Sequence, residues 1–184
     1  MYRFTISAIA LVAVAGGATV AASAQETNAP DSAYVAKVMA GAPEAVVQNA
    51  TIVEMQQGGQ MRTLHTGTNG FTCMMVDPAT PMCADKNAML WMRALMGHAA
   101  PPNSVGFVYM LAGDNGTSNT DPYARTATPD NHWVKTGPHV MLVGPSVKTM
   151  GYPMTADPDV SKPYVMWSNT PYAHLMIPVS TGTQ

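Results

Sequence analysis

Hydrophobic and polar positions along this chain follow two periods. Over residues 31–49 the apolar side chains recur at helical spacing: Tyr34, Val35, Val38 and Met39 share one face, Asp31 or Ser32 can cap the helix and Gly41 can end it. Pro43 suits the first turn of a second short helix with Val46 and Val47 facing inward. From Thr51 the period shortens to two. Residues 51–55 and 61–65 are short β-prone runs around Gln57-Gly58-Gly59-Gln60, which reads as a hairpin turn, and residues 71–76 predict a third strand.

The strongest helix pattern covers residues 86–97, behind Asp85 as N-cap. Its apolar residues nearly encircle it, and Lys86 and Arg93 leave a narrow polar stripe, so this helix is expected to be largely buried against a sheet. Pro101-Pro102-Asn103 breaks the chain, and residues 105–111 return as a strand of central character. Residues 113–136 form a long polar loop, a common place for function. Helices come early and strands come in runs. This order predicts an α+β fold with a mainly antiparallel sheet, a small β-barrel or sandwich being the alternative.

The last strands repeat one motif. Gly137-Pro138-His139-Val140-Met141 and Pro171-Tyr172-Ala173-His174-Leu175-Met176 each carry His-x-Met, with Pro163-Tyr164-Val165-Met166-Trp167 between them. Alternation along a strand puts His139 with Met141, and His174 with Met176, on one face. Imidazole and thioether suit soft metal ions, so the two pairs can make a four-ligand site if the strands are neighbours. The same residues also suit two ordinary core strands.

The start of the chain reads as an export signal over residues 1–24. Arg3 precedes a short apolar run, and Ala22-Ser23-Ala24 is a small-residue cleavage site. Residues 25–30 are then a flexible leader and residues 31–184 one globular domain in the periplasm or outside the cell. No apolar segment is long enough to span a bilayer. Charged residues make up 11% of the chain and no Lys or Arg run occurs, which argues against a nucleic-acid partner. Two cysteines, Cys73 and Cys83, read in an oxidising compartment as a disulfide; a thiolate metal pair is the rival, against the C-x-x-C spacing. The prolines between them suggest a loop that turns back.

At residues 112–124, at Trp133-Val134-Lys135-Thr136-Gly137-Pro138-His139-Val140-Met141, and at the two later segments quoted above, the chain resembles a family of uncharacterised exported bacterial proteins. That resemblance implies export and carries no known activity. The His-x-Met unit is also similar to the ligand pattern of periplasmic copper(I) chaperones, without their additional upstream ligands.

Sixteen methionines admit three accounts: a plastic core, copper(I) or silver(I) binding, or scavenging of oxidants. His98 suits the C-terminus of the strongest helix, His65 a strand end, and His132 can join His139 if the loop folds over it. The oxygen-rich residues 114–121 admit calcium, although Asx and Ser/Thr turns explain the same composition. Enzyme motifs are missing, but a hydrolase built from a serine or aspartate with His139 or His174 is the alternative from another class. The expected function is an exported protein that binds a metal ion or small ligand, with copper(I) held by His139, Met141, His174 and Met176.

Overall fold

A computed structural model describes residues 29–179. The expected signal peptide, the start of the leader and residues 180–184 lie outside them. Helix α1 (Ala29–Val38) begins two residues before the expected cap and runs into a 3-10 turn at Met39–Gly41 and a short α2 (Glu44–Val47). Strands β1 (Thr51–Met55), β2 (Met61–His65), β3 (Thr72–Asp77) and β4 (Thr80–Ala84) lead to α3 (Lys86–Met96). Strand β5 (Gly106–Met110), a two-stranded ribbon of β6 (Thr117–Ser118) and β7 (Trp133–Val134), then β8 (His139–Val143), β9 (Tyr164–Met166) and β10 (His174–Pro178) complete the order.

Eight strands form one open sheet in the order β2-β1-β3-β4-β5-β8-β10-β9. Every neighbouring pair is antiparallel except β1 and β3. The fold is therefore α+β with a mainly antiparallel sheet, and the barrel alternative is set aside because β2 and β9 remain edges. The loop expected between the cysteines is a β-hairpin. Asp77 turns it, its carboxylate accepting from the amides of Ala79 and Thr80, and β4 follows despite Pro81. Proline is tolerated there because β5 pairs with β4 only through Cys83 and Ala84. Cys73 and Cys83 are directly opposed in this hairpin at disulfide distance, S–S 2.08 Å.

Alternation divides the core between two faces. On one, Val38, Val47, Ile52 and the cysteine pair pack beneath α1 and α2, while Val165, Ala173 and Leu175 pack on Val147 of the 3-10 turn Pro145–Thr149. On the other, α3 lies against Met82, Ala84, Val108 and Met141 through Ala88 and Trp91. The helix sits so close to β5 that a Cβ on Gly106 would overlap the backbone of Ala88. Apolar residues on α3 are not all inward, however: Leu90 and Met96 are 42% and 52% exposed. The helix caps the sheet with one face and keeps the other in water, so the expectation of a largely buried helix is corrected.

Beyond Ile52 and Cys73, where β1 and β3 last pair, the two strands part. The Tyr34 hydroxyl from α1 fills the gap, donating to Val53 O at 2.8 Å and accepting from the Met75 amide at 3.0 Å. The same parting leaves Met55 and Val76 at a rim that is open to solvent.

Because Leu175 is 1% exposed and Leu90 is not buried, Leu175→Ala is expected to cost about 2–5 kcal/mol in urea unfolding. Leu90→Ala is expected to stay within about 0.5 kcal/mol.

Candidate functional site

Strands β8 and β10 are adjacent and antiparallel, with Met141 opposite Met176. Paired residues share a face, so His139, Met141, His174 and Met176 all point to the α3 side, and all four line one cavity of about 560 Å³ between the sheet, α3 and the loop after Gly113. Nine of the sixteen methionines line it, together with Trp91 and Trp167.

The register separates the two histidines. His139 lies opposite Pro178 and His174 opposite Val143. Three residues of strand therefore lie between their positions, a backbone separation of about 13 Å along the sheet, although the His139 ring still acts electrostatically on His174. That spacing gives each imidazole its own neighbours. Met110 of β5 is directly opposite His139, Met141 follows on the same face, and Met176 is diagonal to it. His174 is opposite Met166, and its ring meets Trp167 and Trp91 edge-on at 4.7 and 5.4 Å between centroids.

Both imidazoles are oriented in the same way. His139 Nδ1 donates to Gly137 O at 2.7 Å, and His174 Nδ1 donates to Tyr172 O at 3.1 Å. A carbonyl only accepts, so Nδ1 carries the proton in each ring and Nε2 carries a lone pair. His139 Nε2 is buried and has no hydrogen-bond partner among the described residues, as is true of Trp91 Nε1. Leaving such an atom unpaired costs about 1–3 kcal/mol. On β9 the Tyr164 hydroxyl meets Thr136 Oγ1 at 2.9 Å, and burial pushes its phenol up to about 12.

Burial holds both histidines neutral. For His139 it pushes the imidazole below its usual range, against the Gly137 hydrogen bond and the Asp114 carboxylate. For His174 it pushes the ring down to about 4, against the Tyr172 carbonyl and with help from His139.

The other candidates have local roles. His132 pairs with Asp157 at 2.8 Å instead of joining His139. His98 stacks on Tyr123 at 4.1 Å, and His65 is exposed on β2. In the polar loop, Asp114 Oδ1 accepts from the amides of Gly116 and Thr136, and Ser118 Oγ accepts from those of Thr120 and Asp121. These are turn contacts. No group of three or more His, Cys, Asp or Glu side chains suited to a metal occurs among the described residues.

Met110, Met166, Trp91 and Trp167 were not among the candidates read from sequence. Met110 and Met166 were accessible to it in principle, being in phase with the inward positions of their strands. The chain matches no protein-family model, no curated protein and no solved structure.

An imidazole that titrates near 6.5 when unfolded and near 4 when folded is protonated first in the unfolded chain as pH falls. Its neutral burial therefore contributes stability that is complete above about pH 6.5 and is lost toward pH 4, about 3 kcal/mol in all. Urea unfolding at pH 7.5 and pH 4 is expected to show this loss in the parent and a correspondingly smaller one in His174→Leu.

Proposed function

We propose that this is an exported protein that binds a soft monovalent cation, copper(I) or silver(I), on the floor of the methionine-lined cavity. The observation that carries the reading is His139 Nε2, a buried nitrogen lone pair without a partner among the described residues, on a residue that lines a cavity together with nine methionines. His139 supplies nitrogen, and Met110, Met141 and Met176 supply sulfur. Met110 thus stands in the place that the sequence reading gave to His174. Neutral sulfur and imidazole ligands favour a soft ion of low charge, whereas a hard divalent ion requires carboxylates. The hydrogen bond from Nδ1 to Gly137 O fixes the ring and its tautomer, as metal-binding histidines require.

Two observations weigh against the hydrolase alternative. The Nδ1 atoms of both histidines meet carbonyls of their own chain segment rather than a carboxylate, and among the described residues no serine lines the cavity, while the aspartates that do, Asp77 and Asp114, accept from backbone amides of their own turns. Scavenging of oxidants needs exposed sulfur, which Met55, Met61, Met96, Met150 and Met154 offer, but it gives no role to the buried sulfurs of the cavity, where Met74, Met82, Met166 and Met176 are each at most 3% exposed. The charged start of the chain and the bonded cysteine pair support a periplasmic or secreted location. No helix among the described residues is long and apolar enough to cross a membrane.

A second reading is favoured by volume. Organic ligands occupy cavities of about 300–1,000 Å³, and this one falls in that range, with two indole rings to cover an apolar molecule.

Titration with copper(I) against a competing chelator is expected to give one tight site in the parent. His139→Leu and Met110→Leu are expected to weaken it at least about tenfold each, roughly 1.4 kcal/mol per lost ligand. Equal affinity in all three would remove the site. An apolar ligand would instead raise the thermal midpoint of the metal-free parent and of His139→Leu alike.

A further inference from the structure

We propose that Met55, Met92 and Met96 form an entry path that takes the soft ion from solvent and passes it to the floor by ligand exchange. The inference rests on the cation reading above and adds residues that the binding centre itself does not need.

Exposure of the cavity methionines falls from the mouth inward. Met96 is 52% and Met55 37% exposed, Met92 is half-buried, and Met110, Met141 and Met176 are 7%, 9% and 2% exposed. The outermost pair belong to separate elements, α3 and the end of β1, and both line the cavity while remaining partly in water. Thioether side chains there have a use, because each is a neutral soft ligand on three rotatable bonds. An ion can gain an inner sulfur before it loses an outer one, so no bare ion has to cross the cavity. The charged side chains lining the cavity, the Asp77 and Asp114 carboxylates and the Arg125 guanidinium, leave one net negative charge that favours a cation without selecting a soft one. The step is pure ligand exchange, with the ion's charge and oxidation state unchanged throughout.

This arrangement predicts a separation between rate and equilibrium. Met→Leu substitution nearly conserves volume and removes the sulfur. Stopped-flow transfer of copper(I) from its bicinchoninate complex to the metal-free protein is expected to slow at least about tenfold in Met55→Leu/Met96→Leu, at an unchanged final partition. Met92→Leu is expected to slow it too. Met61→Leu/Met150→Leu removes exposed methionines outside the cavity and is expected to leave the rate as it was. An unchanged rate in the mouth variant, or a loss of affinity as large as the loss of rate, overturns the entry path while the floor site stands. A parent that takes no copper(I) from the chelator overturns both.

Discussion

The pairing of Met141 with Met176 is the constraint from which the cavity floor follows. Side chains alternate across a strand, so a slip of one residue between β8 and β10 would turn the histidines and methionines of one strand to the opposite face and bring Leu or Ile to the floor. The other face prevents the slip. Leu142, Leu175 and Ile177 pack there with Val147, Val165 and Ala173, and the Val179 amide extends the ladder to Pro138 O at 2.8 Å. An ordinary aliphatic cluster beneath the sheet thus holds the chemically distinctive residues above it. The two carbonyls that orient the imidazoles belong to the turns entering these same strands, so strand position and ring tautomer are set together.

The cavity itself follows from how α3 is seated. The helix rests on β4 and β5, where Gly106 admits its backbone, and does not reach the parted ends of β1 and β3. Space remains under its C-terminal turns and the polar loop. Leaving that space open beside buried, unpaired nitrogens at His139 and Trp91 is unfavourable for folding, since apolar filling would avoid both the void and the lost hydrogen bonds. Met166 and Met74 fill volume, whereas His139 brings a polar atom to a place where nothing among the described residues satisfies it.

Much of the architecture was legible because period two is a local property. The runs that became β5, β8, β9 and β10 could be read to within a residue or two, as could the Asp85 cap, whose carboxylate accepts from the Ala88 amide at 2.8 Å. The hairpin strand β4 was hidden by Pro78 and Pro81, which signal a turn unless one knows that β5 leaves that part of the strand unpaired. Burial of α3 was overestimated because an apolar residue in a sequence carries no record of whether a partner reaches it. The separation of His139 from His174 depends on strand register, a tertiary property, although the shared face was predictable. Met110 was passed over because its strand carries no motif, yet it is the residue directly opposite His139.

The sheet also divides two kinds of sulfur. Cys73 and Cys83 lie among the residues beneath α1 and α2, while the thioethers of Met74 and Met82, their immediate neighbours in the chain, face the other way. The backbone between them acts as an insulating layer, keeping the electron-exchanging pair out of reach of anything held in the cavity. Reduction would then loosen the β3–β4 hairpin, by about 2–3 kcal/mol for so short a loop, without adding a thiolate to the cavity wall. Thiol status and the cavity lining become independent variables, so a change in the redox conditions around the molecule can alter its durability while leaving the side chains on the cavity face unchanged.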